Sequence, residues 1–315
     1  MSEAAATERT ALPDRVRELL DEATAADGTP PVSDQALLGV AQGRRELMEF
    51  APGAAPAAED AALGAVGIVG EGELDLVVRP AERGRGVGRR ALHALLARNA
   101  SGSSTELRAW AHGENPAAEA LLRGAGFEPV RELLRMTLEP ALLPGAIAEA
   151  RPLPDGFRVV PFDPAEPRHA QEWVRVNAAA FASHPEQGAM RLGDFEALTR
   201  EPWFRAEDLR LAFEGDGDEA ATGPAALLAG FTWIKSTSER GRVETELYVL
   251  GVDPVHAGRG LGAALLGETL RRMAAHDPRR ISLYVDGDNL GARALYERAG
   301  FEVEQRSSQW LRRGA

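Results

Sequence analysis

The chain has 315 residues, of which 44% are hydrophobic and 27% are charged, and its formal net charge is −12 at pH 7. This length and balance are typical of a soluble globular protein of about two domains, and the acidic charge argues against nucleic acid as a partner. The lack of cysteine excludes disulfides, thiolate metal sites and a cysteine nucleophile. The sequence shows neither a membrane-spanning apolar run nor a secretory signal, which predicts a cytoplasmic protein without a membrane partner.

The first strong pattern in chain order is a strand, a glycine-rich turn and a helix. An alternating, β-branched run predicts a strand from Glu73 to Arg79. The turn reads Pro80-Ala81-Glu82-Arg83-Gly84-Arg85-Gly86-Val87-Gly88, and Arg89 and Arg90 follow it. The next helix has one apolar face, formed by Val87, Ala91, Leu92, Leu95 and Leu96. Because free backbone N–H groups and the helix dipole favour anions, this turn predicts a pyrophosphate site; such turns can also serve only to pack a strand against a helix.

A proline-rich stretch divides the chain. Pro140 to Gly145 and Arg151 to Pro154 predict a linker, because prolines interrupt both helices and ladders. We therefore expect one domain over residues 1–145 and a second over residues 151–315.

The second half repeats the first, each residue recurring 174 positions later. The turn returns as Pro254-Val255-His256-Ala257-Gly258-Arg259-Gly260-Leu261-Gly262. The same register pairs Trp110 with Tyr284 and Asn115 with Asn289, and it pairs Ala125-Gly126-Phe127 with Ala299-Gly300-Phe301. The chain is thus predicted to be a duplication of one α/β layer domain.

In the second copy the same elements are expected around the turn. A strand is predicted from Glu246 to Val252, and the helix after the turn has an apolar face of Leu261, Leu265, Leu266 and Leu270. A further strand from Ile281 to Val285 leads through Asn289 into a helix that ends at Gly300.

Two candidate catalytic side chains occur in the second copy alone. Glu246 corresponds to Gly72 and Tyr296 to Leu122 in the first copy. A carboxylate can take a proton from an attacking amine, and a phenol can protonate a leaving group. Taken singly, Glu246 could be a solvated carboxylate and Tyr296 a core aromatic residue. Their joint loss from the first copy favours a functional reading and predicts that the first copy is catalytically inactive.

The motif, the asparagine and the Ala-Gly-Phe ending together resemble the GCN5-related N-acetyltransferase (GNAT) superfamily, whose signature is Arg/Gln-x-x-Gly-x-Gly/Ala. The first copy matches from Arg83 to Gly88, whereas the second has Ala257 at the Arg/Gln position. The resemblance implies two tandem acyl-CoA N-acyltransferase domains, each a mixed, mostly antiparallel sheet flanked by helices. It also implies acetyl-CoA as co-substrate, without a metal.

The resemblance further implies which residues contact acetyl-CoA. In the second copy they are Leu250, Gly251, Val252, Ala257, Gly258, Arg259, Gly260, Leu261, Gly262, Ala263, Asn289, Leu290, Gly291, Ala292, Arg293 and Ala294. In the first copy they are Leu76, Val77, Val78, Arg83, Gly84, Arg85, Gly86, Val87 and Gly88. The family also has a β-bulge that frees backbone N–H groups toward the thioester, and Gly251 marks either that bulge or a plain strand glycine.

Over the whole chain the plan is similar to the tandem-domain branch of the superfamily that completes mycothiol biosynthesis. Members of that branch acetylate the cysteinyl amine of cysteinyl-glucosaminyl-inositol. The resemblance is strongest in residues 177–188, in residues 246–254 and around Leu283-Tyr284-Val285. It implies substrate contacts from Asp34, Glu186, Lys235, Glu246 and Tyr284; Lys235 is the only lysine of the chain.

Each substrate candidate has a simpler reading, and two other functions stay open. Glu186 could cap a turn, Asp34 could start a helix, Tyr284 could be a core residue, and Lys235 could be a solvated surface lysine. The chain could instead acetylate a peptide N-terminus or another small amine, or it could be a non-catalytic acyl-CoA sensor. We expect small-molecule substrates and a monomer.

Overall fold

The computed structural model describes residues 12–53, 62–99, 106–182, 187–215, 227–239 and 241–314. The chain forms two compact units, Met1–Leu134 with Gln305–Ala315, and Arg135–Glu304. Each unit is a mixed sheet flanked by helices, as the repeat predicts. Among the described residues, no helix is both long enough and apolar enough to cross a bilayer.

The first unit contains a parallel strand pair joined through a helix. Its elements are α1 (Asp14–Asp27), α2 (Asp34–Ala41), β1 (Glu46–Phe50), β2 (Ala65–Gly70), β3 (Glu73–Val78), α3 (Val87–Asn99), β4 (Glu106–Ala111), α4 (Pro116–Gly124) and β5 (Glu128–Leu138), the last of which runs on into the second unit. β1, β2 and β3 pair antiparallel, and β3 pairs parallel with β4. The predicted apolar face of α3 is confirmed, because Val87, Ala91, Leu92 and Leu95 are all buried in one cluster.

The second unit repeats this pattern. Its elements are α5 (Leu143–Ala148), β6 (Phe157–Pro161), α6 (Pro167–Ala180), α7 (Leu192–Leu198), β7 (Leu209–Glu214), β8 (Leu228–Glu239), β9 (Arg242–Val252), α8 (Leu261–Ala274), β10 (Arg280–Asp286) and α9 (Leu290–Arg298). β6 to β9 pair antiparallel in sequence order, and β9 pairs parallel with β10. The duplication therefore extends to strand topology.

Two apolar layers cover the second unit's sheet. One layer is aromatic and joins Trp173 of α6 and Phe195 of α7 to Phe231 and Trp233 of β8. The other is aliphatic and contains Leu261 and Leu265 of α8. Successive buried side chains of a strand consequently face the two layers in turn.

The last strand, β11 (Glu302–Arg313), starts in the second unit and ends in the first. Its residues Ser308–Arg313 pair antiparallel with Ala111–Glu106 of β4. The strand order in the first unit is thus β1-β2-β3-β4-β11, and in the second β10-β9-β8-β7-β6. The division at residues 145–151 concerns the repeated sequence and stays a prediction, since each compact unit also contains chain from beyond it.

The proline-rich stretch is not the plain linker that the sequence predicts. Residues Leu143–Ala148 form the helix α5, and Pro144 lies in its first turn. Proline is tolerated there because the first helical N–H groups have no intrahelical partner. Residues 151–154, in contrast, have no regular structure.

Candidate functional site

In both units the two parallel strands pair briefly and then separate. In the second unit, Glu244–Leu247 of β9 pair with Arg280–Leu283 of β10. In the first, the pairing covers Glu73 and Leu74 with Arg108 and Ala109. Beyond these residues the two described strands no longer pair with each other, so their facing backbone groups can receive a ligand.

A cavity of about 660 Å³ lies beside the separated strands of the first unit. Its lining includes seven residues of the strand and turn predicted to bind CoA, namely Leu76, Val77, Val78, Arg83, Gly84, Gly86 and Gly88. Further lining residues come from β4 and its end, including Trp110 and His112. The volume lies within the range of small-molecule pockets, so the first unit can accept a ligand.

The glycine-rich turn has the same left-handed backbone in both units. Gly258 and Gly260 have φ of 76° and 84°, and Gly84 and Gly86 have φ of 74° and 79°. Apart from the adjacent residues, no described atom lies within 4 Å of a Cβ built at Gly258 or Gly260, so backbone conformation rather than space requires glycine there. The turn delivers the chain directly into the N-termini of α8 and α3, where N–H groups favour an anion.

The predicted arginines of the turns already have partners. Arg83 forms a bidentate pair with Asp27, with N–O distances of 2.6 and 2.8 Å. Arg259 contacts Glu214 and His256 at 3.1 and 3.0 Å, and it lies 4.5 Å from the centroid of the Phe157 ring. Both guanidinium groups are therefore held in place, and a phosphate would share or replace a carboxylate partner.

Asp253 anchors the turn of the second unit. Its carboxylate accepts a hydrogen bond from Val255 N and lies 2.6 Å from Nη1 of Arg175. Burial alone would raise the pKa of Asp253, but the hydrogen bonds from Arg175 and Val255 outweigh it and lower this pKa. The turn is thus fixed to α6 through an ion pair between a buried carboxylate and a partly exposed arginine.

Asn115 and Asn289 are helix caps. The side-chain oxygen of Asn115 accepts from Ala118 N at 3.0 Å, and that of Asn289 accepts from Ala292 N at 3.1 Å. This contact satisfies a backbone donor that the first helical turn leaves free. Capping is therefore sufficient to explain why both copies carry asparagine here.

Four polar residues of the second unit lie on one face of the sheet, near the point where β9 and β10 separate. Lys235 pairs with Glu246 across β8 and β9, and Glu246 pairs with Ser282 across β9 and β10. Directly paired residues share a face, and Tyr284 lies two residues beyond Ser282 on that same face. The sequence predicted Glu246 at the start of this strand, whereas the structure places it in the middle of β9. The structure thus groups three predicted substrate contacts around Ser282, which is 4% exposed.

An aromatic wall borders this face. Nζ of Lys235 lies 5.5 Å from the Trp203 ring centroid, within cation–π range. The Trp203 ring lies 5.2 Å from Tyr248 and 5.6 Å from Trp233. Sequence analysis missed Trp203, whose position becomes apparent only when the chain after α7 folds back over the sheet.

A β-bulge interrupts the pairing of β8 and β9, and Gly251, for which the sequence left two readings open, is a plain strand glycine rather than the bulge. The register shifts between Trp233 and Ile234, which leaves Tyr248 as the extra residue of β9. Gly251 pairs regularly with Phe231, and a Cβ on Gly251 would lie 2.8 Å from Phe231 Cζ. Glycine is required at 251 by the Phe231 ring, because no larger residue fits beneath it.

Tyr284 and Tyr296 differ in exposure. Tyr284 is 40% exposed; burial of its hydroxyl raises its pKa, which nearby Glu246 also raises and Arg135 lowers. Tyr296 lies on α9, is 7% exposed, and has its pKa raised to about 12 by burial. Its ring packs edge-on against Phe301 at 6.1 Å. Tyr296 therefore stays protonated at neutral pH.

Two predicted substrate contacts fall largely outside what the structure describes. Glu186 lies in the undescribed residues 183–186. Asp34 is the first residue of α2, after the N-cap Ser33, and its side chain is not described. Both assignments stay predictions, as do the contacts to acetyl-CoA in either unit.

The chain matches the family model described as "Acetyltransferase (GNAT) family" over residues 34–127 and 178–301. The two matched regions contain both glycine-rich turns and both parallel strand pairs. A solved structure of similar fold is the tandem GNAT protein from the clavulanic acid biosynthesis pathway, with a TM-score of 0.68 and 17% identity. That alignment covers 98% of this chain and 96% of the other.

Curated relatives are similar over nearly the full length. A protein named mycothiol acetyltransferase from Clavibacter michiganensis subsp. michiganensis is 43% identical over 295 residues, covering 92% of this chain and 89% of that protein. A protein of the same name from Streptomyces avermitilis is 41% identical over 308 residues, covering 92% of this chain and 88% of that protein.

Proposed function

The chain belongs to the acetyltransferase (GNAT) family, and from that premise we propose that it acetylates the cysteinyl amine of cysteinyl-glucosaminyl-inositol, the last step of mycothiol biosynthesis. It is an acetyl-CoA-dependent N-acetyltransferase with two copies of the family fold. The names of its full-length relatives support the acceptor. The structural observation that carries the proposal is the row of Lys235, Glu246, Ser282 and Tyr284 beside the separated strands.

Glu246 is the proposed base. Acetyl-CoA supplies an activated acetyl thioester, and the amine must lose a proton as its bond to the acetyl carbon forms. Glu246 accepts that proton, directly or through a water molecule. Its place on β9, just before the strand parts from β10, supports this role, because an amine bound there faces the gap.

Tyr296 is the proposed donor to the departing sulfur. Its pKa of about 12 keeps the hydroxyl protonated, whereas an ordinary thiol has a pKa of about 8.5. Full proton transfer to a thiolate is therefore uphill unless the sulfur is itself desolvated. Donation of a hydrogen bond, which stabilises the developing negative charge, is the part of the role that this pKa favours most clearly.

A hydroxyl-rich acceptor suits the polar face. The Lys235 ammonium and the Ser282 hydroxyl can donate, and Glu246, Ser282 and the Tyr284 hydroxyl can accept. The Trp203 ring offers an apolar surface of the kind on which sugar rings pack. Asp34 and Glu186 are retained as proposed acceptor contacts on the family resemblance alone.

The acetyl-CoA site of the second unit is proposed at residues 250–252, 257–263 and 289–294. The left-handed turn and the start of α8 offer backbone donors to a pyrophosphate. Ala257 provides no side-chain donor where the family has Arg or Gln, so backbone N–H groups carry more of the binding. We infer that this lowers affinity without abolishing it.

The first unit is proposed to hold CoA without catalysing transfer. Its cavity of about 660 Å³ and its matching turn support binding, while Gly72 and Leu122 replace the base and the phenol.

Calorimetry tests this directly: two CoA sites per chain are expected. Arg89, exposed at the cavity, gives the decisive variant: Arg89→Glu should weaken one site about tenfold or more and leave turnover unchanged. Arg98→Glu, on the same helix but away from the cavity, is the control; one site in the wild type would contradict the proposal.

The acceptor is tested by a panel. The wild-type protein is incubated with acetyl-CoA and either cysteinyl-glucosaminyl-inositol, free cysteine or a peptide amine, and the acetylated products are quantified by mass spectrometry because the first two acceptors carry their own thiol. Turnover with cysteinyl-glucosaminyl-inositol at least a hundredfold above the others is expected. Preference for the peptide would favour a protein N-terminal acetyltransferase, and CoA binding without any product would favour a sensor.

We also propose that the protein acts as a cytoplasmic monomer and needs no metal. Light scattering after gel filtration should give the mass of one 33.7 kDa chain. Turnover should be unchanged after incubation with EDTA, and a metal-dependent loss would overturn that part of the proposal.

A further inference from the structure

Arg135 is a nearly buried arginine close to the polar face of the second unit. Its side chain is 11% exposed, and its Nε has no hydrogen-bond partner among the described residues. A guanidinium is costly to bury unless its charge is compensated. Its position therefore calls for an explanation, and the sequence repeat supplies none, since residue 309 at the matching position is glutamine.

The carboxylate of Glu304 lies near the Arg135 guanidinium. Glu304 Oε2 lies 3.6 Å from Arg135 Nε, beyond hydrogen-bond length. The same carboxylate is bound tightly by Arg280, with distances of 2.6 and 2.7 Å. Glu304 is thus hydrogen-bonded to Arg280, and it interacts with Arg135 only through a longer-range attraction.

Arg135 also contacts the ring of Tyr284. The guanidinium carbon lies 5.8 Å from the ring centroid, within the range of a cation–π contact. Tyr284 is 40% exposed, so a contact on its ring can limit the rotation of its side chain.

We propose that Arg135 is a positioning residue for the acceptor: held by Glu304, its guanidinium fixes the Tyr284 ring so that the hydroxyl meets the acceptor together with Glu246 and Lys235. This inference rests on the proposed acceptor site and adds to that site a residue that does not itself touch the acceptor. A residue of this kind changes acceptor binding without changing the binding of acetyl-CoA.

Electrostatics give the contact a signature of its own. The charged groups that influence Tyr284 are Arg135, Glu246, Arg280 and Glu304; burial raises the pKa of Tyr284, Arg135 lowers it and Glu246 raises it. Removal of the Arg135 charge should therefore raise the pKa of Tyr284 further. Replacement by lysine keeps the charge but loses the planar group that covers the ring.

The first test does not require turnover. The chain has three tyrosines, so a protein labelled with ¹³C at tyrosine Cζ gives three resolvable signals, and Tyr284→Phe assigns the one of interest. In Arg135→Gln, we expect the Tyr284 signal to shift at neutral pH and its titration to move to higher pH, with Tyr248 and Tyr296 unchanged. An unchanged Tyr284 signal in Arg135→Gln would overturn the proposal whatever the acceptor proves to be.

The second test measures kinetics for both substrates. Arg135→Gln should raise the KM for the acceptor about five- to tenfold and leave the KM for acetyl-CoA unchanged. Arg135→Lys should have a KM for the acceptor between those of the wild type and Arg135→Gln. Arg200→Gln, a change at a 75% exposed arginine of the same unit, is the control. If both KM values rise in parallel and the unfolding midpoint falls, Arg135 has only a structural role and the proposal is overturned. If the wild type shows no turnover, the proposed acceptor is wrong, and the spectroscopic test alone decides on Arg135.

Discussion

Lys235 and Glu246 face each other directly across the antiparallel pair β8–β9, just before β9 parts from β10. Opposite charges at such a position attract and orient one another. Lys235 is further held by the Trp203 ring at 5.5 Å. Glu246 therefore lies opposite a cationic residue, at the position proposed for the amine of the acceptor.

Replacement of Glu246 by glutamine should lower kcat by about 10²–10⁴-fold, because the carboxamide keeps the shape of the side chain but accepts no proton. The KM for acetyl-CoA should stay the same, since the proposed role of Glu246 is toward the acceptor. Steady-state kinetics with both substrates measures this. Glu244→Gln, an exposed carboxylate two residues earlier on the same strand, is the matched control; equal losses in the two variants would rule out a special role for Glu246.

Replacement of Tyr296 by phenylalanine should lower kcat by about 10–100-fold, the loss expected when one hydrogen bond to a developing charge is removed. The ring stays packed on Phe301, so the thermal unfolding midpoint should move little. In the wild type, a pKa of about 12 means that Tyr296 causes no fall in kcat up to roughly pH 10. A titration with midpoint between pH 8 and 10 that vanishes in Tyr296→Phe would show that the hydroxyl is less buried than described.

The repeat made much of this architecture predictable. Local patterns determine the turn at Gly258, the apolar face of α8 and the strand at Ile281, and all three occur where expected. The bulge at Tyr248 and the aromatic wall at Trp203 were not predictable, since they depend on strand register and on contacts between distant segments. Sequence alone placed a glycine at 251 but could not show which neighbour required it.

Gly251→Ala should destabilise the second unit by about 1–3 kcal/mol, the usual cost of overpacking. The added Cβ would lie 2.8 Å from Phe231 Cζ and 3.4 Å from Ala180 Cβ. Chemical unfolding measures the change. Gly262→Ala is the control, because its nearest contact is Val252 Cγ2 at 3.8 Å and alanine favours a helix. Phe231→Leu should recover part of the loss in the double variant, and additive costs would show that the Phe231 ring is not the obstacle.

His112 should make stability depend on pH in a window set by its own titration. Burial lowers the pKa of His112 to about 4, and its Nε2 has no hydrogen-bond partner among the described residues. The unfolded chain has an ordinary histidine with a pKa of about 6.5, so between these values the unfolded state binds the additional proton. The contribution of neutral His112 to the free energy of unfolding is therefore fully present above about pH 7. It decreases as the pH drops from 6.5 toward 4, by up to about 3 kcal/mol.

The difference between wild type and His112→Gln isolates this contribution, because all other groups titrate in both proteins. Free energies of unfolding between pH 4 and 8 should show a slope in the wild type that is shallower in His112→Gln. His93→Gln, at an exposed histidine that also lines the first unit's cavity, should keep the wild-type slope. If His112→Gln keeps that slope too, the imidazole is not buried in solution, and the cavity is open to water at the end where Trp110 stacks on His112 with ring centroids 5.9 Å apart.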